Sequence, residues 1–195
     1  MPQKKLALPK AEPHAIAIVA TVDLTDELQR EVVQRERAVG VLLYDPQLDA
    51  IALVEQFRIG ALALDNSVAT SAPTPWLLEL VAGLIGSGEV ASQVARREAL
   101  EEAGAIVQEL EFVCEYFSSP GGSNEYFYLF CGRCDLREVG GLHGLAEEGE
   151  DIRVHIFSVQ DAQQRLQAGQ FCNAHTIIAL QWLQLHRQRL RQMWH

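Results

Sequence analysis

Gly83-Leu84-Ile85-Gly86-Ser87-Gly88-Glu89, then seven residues, then Arg97-Glu98-Ala99-Leu100-Glu101-Glu102-Ala103-Gly104-Ala105, is the stretch that decides how this chain reads. Residues 83–89 hold three glycines and read as a tight loop. The spacing after them predicts a helix from about Ala91 to Ala103, with Gly104 as its stop. At about 100° per residue, Glu98, Glu101 and Glu102 fall within an arc of about 100° on one face of that helix. Like charges at i, i+3 and i+4 repel, each pair costing about a few tenths of a kcal/mol. A cation against that face removes the penalty. Hard carboxylate oxygens suit Mg²⁺ or Mn²⁺, which keep several waters and also bind substrate phosphates. Taken alone, three glutamates read first as a solvated charged face, so the surrounding pattern has to separate the two readings.

Upstream, Val39–Tyr44 is a continuous apolar run, Asp45-Pro46 marks a turn and Ala50–Phe57 follows as a partner, so 39–57 reads as a hairpin. Ala15–Val22 reads as a short strand, and Asp26–Arg37, with seven charges, as helix or strand. Residues 60–75 read as a loop and Trp76–Val81 as a strand. Downstream, Leu110–Phe117 and Tyr126–Cys131 read as strands around the loop Ser118–Asn124. A glycine-rich acidic loop fills 138–151, and Ile152–Phe157 returns to strand. Asp161–Ala168 reads as a short helix ended by Gly169. Ala174–Met193 reads as a long helix opened by Asn173 and basic at its end. Strands and helices interleave without a βαβ rhythm, which predicts a mixed α/β fold with the sheet between helices.

The 195 residues suit one domain, or one domain with a small appendage. The formal net charge of −10 repels a phosphate backbone, which argues against nucleic-acid binding, and suits a protein that gathers divalent cations. No apolar run reaches membrane-spanning length and no signal-peptide core is apparent, so a cytoplasmic protein is expected, with no membrane partner. Four cysteines are too sparse for a disulfide scaffold, and Cys131-x-x-Cys134 lacks a second pair, which favours a structural role. His143, His155, His175 and His186 are scattered. Trp76 and Trp182 read as core or interface residues.

The pattern Gly-x5-Glu-x7-Arg-Glu-x-x-Glu-Glu-x-Gly-x resembles the signature of the Nudix hydrolase family. Gly83, Glu89, Arg97, Glu98, Glu101, Glu102 and Gly104 fall at its fixed positions. The usual aliphatic residue after Arg-Glu is represented by Ala99-Leu100, and the final one by Ala105. The resemblance implies a Nudix fold over 38–195, with 1–37 as a short N-terminal segment of dimerisation strands. It implies Glu98 and Glu102 as metal ligands, the Ala82 carbonyl completing the shell, Glu101 assisting in catalysis, and Arg97 paired with Glu89 to hold loop against helix.

The flanks are similar to the bacterial ADP-ribose pyrophosphatase subgroup over residues 38–190. Val54–Arg58, Pro75–Gly83, Ser118–Gly122, His143–Asp151 and Ala179–Leu183 carry the similarity. It implies Mg²⁺-dependent hydrolysis of a nucleoside-diphosphate substrate, ADP-ribose, by a homodimer. Another nucleoside-diphosphate sugar, a dinucleotide or a modified triphosphate are the alternatives, and a non-catalytic regulator the remaining one. Glu148 is implied as catalytic base and Glu150 as a further metal ligand, although acidic residues beside glycines in 147–151 also describe any solvated loop. Arg58 is implied to hold phosphate, Ser119, Pro120, Gly121 and Glu125 to line the ribose side, and Leu84 to supply a backbone or apolar contact. Residues 1–37 match the subgroup poorly, leaving Arg35 and Arg37 as candidate replacements for its adenine contacts.

Overall fold

A computed structural model describes residues 19–25, 28–62, 74–144 and 151–194. Glu148 and Glu150 lie outside these residues, as do 15–18 of the first expected strand and 63–73 of the expected loop.

The hairpin of β3 (Ala38–Asp45) and β4 (Ala50–Phe57) forms as the sequence predicts, with Leu43 opposite Ala52 and Tyr44 opposite Ile51. Asp45 closes its turn: one carboxylate oxygen accepts from the amides of Gln47 and Leu48 at 2.9 and 3.0 Å, the other from that of Leu136 at 3.0 Å. Beyond Ala52 the two strands part. β6 (Val81–Leu84) pairs with the first half of β3, and β5 (Trp76–Glu79) with the second half of β4. The single strand expected over Trp76–Val81 is therefore two, broken at buried Leu80, because each half serves a different partner. The glycine loop expected from residue 83 also begins later, since Gly83 and Leu84 belong to β6.

β8 (Tyr126–Arg133) lies parallel to β3, and β7 (Glu109–Phe117) antiparallel to β8. On the other side β10 (Ile152–Ser158) pairs with β4, and β9 (Gly141–His143), inside the expected acidic loop, forms the edge. The sheet is thus mixed, in the order β7-β8-β3-β4-β10-β9. β1 (Val19–Thr25) and β2 (Leu28–Val33) make a separate antiparallel pair, which settles the helix-or-strand alternative in favour of strand for residues 28–33. Val33 connects this pair to the loop after β7, donating to the Gly122 carbonyl at 2.9 Å and accepting from the Asn124 amide at 3.3 Å.

Side chains alternate across the sheet. Val39, Val41, Leu43, Ala52 and Val54 face α2 (Ala91–Ala103), which brings Val94, Ala95, Ala99 and Ala103. Leu42, Tyr44, Ile51 and Leu53 face α3 (Val159–Gln167) and α4 (Ala174–Met193). A sheet buried on both sides explains the unbroken apolar run in β3. Each large aliphatic side chain it buries contributes about 1.5–3 kcal/mol. α1 (Ile59–Leu62) is one short turn after β4. Ser158 caps α3, which starts two residues earlier than expected, and Asn173 caps α4. Cys131 and Cys134 point to opposite faces of the sheet, into separate halves of the core, as a structural role requires.

Candidate active site

α2 crosses the sheet so that its carboxylate face meets β6. Glu102 is buried, Glu98 half-buried and Glu101 exposed, so the three glutamates form a gradient from core to rim. A buried carboxylate needs compensating donors. Glu102 accepts from the Gln56 side-chain amide and from the Ala82 backbone amide, both at 3.1 Å. These bonds fix the last turn of α2 against β4 and β6.

Glu98 lies against Gly83, where a Cβ would stand 2.0 Å from its Oε1. Only a residue without a side chain allows this approach, which gives the glycine a packing reason. Gly104 is required differently: its φ of 63° is left-handed, and the caps it forms return to Ala99 and Leu100.

Arg97 stands among three carboxylates, 2.9 Å from Glu98, 3.0 Å from Glu101 and 3.9 Å from Glu89. Burial opposes its charge, but Glu98, Glu101 and Glu89 raise its pKa above the ordinary guanidinium value. Glu89 also accepts from the Gly86 amide at 2.7 Å, so Arg97 and Glu89 tie the loop to the helix.

Together these residues open into a cavity of about 750 Å³. Ala82, Gly83, Leu84, Arg97, Glu98, Glu101 and Glu102 line it, together with Arg58 and Glu125, and with Arg35, Phe127, Asn173 and His175. Gly144, the last described residue before the acidic segment, is at the same cavity. Ser119, Pro120 and Gly121 are exposed and do not line it; their loop instead grips Val33 and Arg35 of the N-terminal segment. Arg35 reaches the cavity beside Glu125, at 3.5 Å, while Arg37 contributes a backbone carbonyl to Ile85 at 2.8 Å.

Two partners were invisible in sequence. Glu79, 4% exposed, accepts from Arg58 Nε at 2.6 Å through one oxygen and from the Asn173 amide at 2.7 Å through the other. Asn173 keeps its own oxygen for the α4 cap, accepting from the Thr176 amide at 3.1 Å. Sequence marks Glu79 only as a strand residue and Asn173 only as a cap; 94 residues separate them.

The donor set fits hard divalent ions: three carboxylates of graded burial border one cavity beside Ala82. Among the described residues, no three acidic, histidine or cysteine side chains are already gathered as a metal site; Glu101 is turned to Arg97 and Glu102 to Gln56. No helix among the described residues is long and apolar enough to cross a membrane. Trp76 packs edge-to-face on Phe57 at 5.7 Å, and Trp182 stacks on His186 at 4.5 Å.

Comparison with known proteins agrees with this geometry. The NUDIX domain profile matches residues 34–185. The chain is 46% identical over 171 residues to the ADP-ribose pyrophosphatase of Escherichia coli K12, covering 88% of this chain and 78% of that protein. It is 44% identical over 165 residues to the enzyme of that name from Haemophilus influenzae, covering 85% and 74%. A GDP-mannose pyrophosphatase of Cronobacter sakazakii is 34% identical over 161 residues, covering 80% and 78%.

Proposed function

The chain belongs to the Nudix family, and from that membership we propose that it hydrolyses the diphosphate of ADP-ribose to AMP and ribose 5-phosphate. The observation that carries the chemistry is the carboxylate face of α2 opening into a cavity also lined by Arg58 and Glu125. The choice of ADP-ribose is supported by the names of the relatives at 46% and 44% identity.

Glu98, Glu102, Glu150 and the Ala82 carbonyl would hold Mg²⁺ or Mn²⁺, with Glu101 assisting. Bound there, divalent ions would neutralise the diphosphate and polarise its phosphorus. Arg58, oriented by Glu79, binds phosphate oxygens. Glu125 borders the sugar, and Leu84 supplies an apolar contact. Glu148 takes a proton from water as its oxygen bonds to one phosphorus and the bridging oxygen leaves with the other phosphate. We place the enzyme in the cytoplasm as a homodimer, residues 1–37 supplying the intersubunit strands.

The test is a product assay with Mg²⁺ across ADP-ribose, GDP-mannose, dinucleotides and nucleoside triphosphates. AMP and ribose 5-phosphate from ADP-ribose at the highest kcat/KM is the expected result. An inert ADP-ribose beside an active GDP-mannose or triphosphate overturns the substrate assignment.

A further inference from the structure

In the wall of the same cavity, His175 sits in the first turn of α4. Its ring lies flat on Phe127, with centroids 3.7 Å apart and planes within 4°. The Tyr116 hydroxyl is hydrogen-bonded to its Nδ1. Stacking fixes the plane of the imidazole and the tyrosine fixes its rotation about the ring normal, so both freedoms of the side chain are spent.

The other ring nitrogen is left for something else. His175 makes no further hydrogen bond among the described residues, and none of their buried side-chain polar atoms lacks a partner. Nε2 is therefore not sealed in the core, and half-buried His175 lines the cavity already described, with Glu125 and Arg58. Burial holds the imidazole pKa below its ordinary value, and burial likewise keeps the Tyr116 phenol protonated. A neutral imidazole oriented by a phenol offers one polar atom of fixed direction, with an aromatic face beneath it.

We propose that His175, oriented by Phe127 and Tyr116, is a substrate-positioning residue that hydrogen-bonds through Nε2 to a hydroxyl of the sugar seated beside Glu125. A hydroxyl both donates and accepts, so it pairs with Nε2 in either tautomer, whereas a phosphate oxygen would need the proton on that nitrogen. Glu125, an acceptor, complements it as the second reader of a diol. The inference rests on the proposed diphosphate-sugar chemistry and adds a specificity contact to it.

The experiment compares ADP-ribose with an analogue whose terminal sugar lacks its 2- and 3-hydroxyls, in the parent enzyme and in His175→Ala, His175→Gln and Tyr116→Phe. Expected for His175→Ala is an increase in KM of about 10-fold for ADP-ribose, with kcat changed less than about 3-fold, one bond's worth of uniform binding. The analogue should show almost no such change. Glutamine, whose amide can reach the Nε2 position, should restore part of the affinity, and Tyr116→Phe should fall between parent and alanine. Equal losses on both substrates, or unchanged KM in His175→Ala, overturn the proposal. A misfolded alanine variant leaves the glutamine and phenylalanine variants to decide by the same comparison. If the parent enzyme itself fails on ADP-ribose, it is the proposed activity that falls.

Discussion

A Cβ on Gly83 would stand 2.0 Å from Oε1 and 2.5 Å from Cγ of Glu98, so strand β6 and the carboxylate of α2 occupy adjoining space with nothing between them. In Gly83→Ala the glutamate must swing away, which a flexible side chain can do for about 1–2 kcal/mol of stability. Turnover should fall much further, by about 10-fold or more, because a ligand displaced by about 1 Å loses its alignment. Thermal unfolding and kcat, measured on one preparation, check the contrast.

Glu98→Gln and Glu102→Gln should both lower turnover by about 100-fold or more, as expected when charge stabilisation of a reacting diphosphate is lost. Their stabilities should diverge. Glu102 accepts two hydrogen bonds in a buried place, and an amide there turns one donor onto another, costing about 1–3 kcal/mol. Glu98→Gln should stay near the parent. Denaturant unfolding of the two variants reads the difference, and unchanged turnover in both removes them as ligands.

Asn173→Ser separates two duties of one residue. Serine still caps α4, so the unfolding midpoint should shift little, whereas alanine should lose about 1 kcal/mol. Neither provides the amide that donates to Glu79, and Arg58 loses part of its orientation. KM for ADP-ribose should rise about 3- to 10-fold in both variants. A normal KM in Asn173→Ser disposes of the link.

How much of this was readable beforehand depends on range. The α2 carboxylates were legible because i, i+3 and i+4 share a helix face whatever surrounds it. The β3–β4 hairpin and α4 were legible from apolar runs bounded by Asp45-Pro46 and Asn173. The division of one expected strand at Leu80 was not, because it arises from β3 and β4 each needing a different neighbour. Nor was β9, which is three residues long and set by its register with β10. Glu79, Asn173, Tyr116 and His175 carry no local signal of their contacts, which the fold alone makes across tens of residues.

Acidity should weaken the native state through His175. Burial depresses its folded pKa, with Glu125 opposing and Arg58 reinforcing. Between that value and the unfolded one, about 6.5, the unfolded chain holds more protons, so stability falls as pH drops through this window and flattens below it. His175→Gln should remove this contribution. Denaturant midpoints taken from about pH 7.5 down to about pH 5.5 should converge for parent and variant, and parallel curves contradict the assignment.

Strand β3 has β8 along one edge and β6 with β4 along the other, whereas among the described residues the β1–β2 pair is fastened to the main body by a few bonds around Val33 and Arg35. Deuterium should therefore enter the two regions on different schedules: β3 amides only when the entire molecule opens, the N-terminal pair through small, frequent detachments. The glutamates ride on the slow part and Arg35 on the fast one. The carboxylate wall, with Arg58, Phe127 and His175, should therefore keep its shape while Arg35 moves off and back with the N-terminal pair.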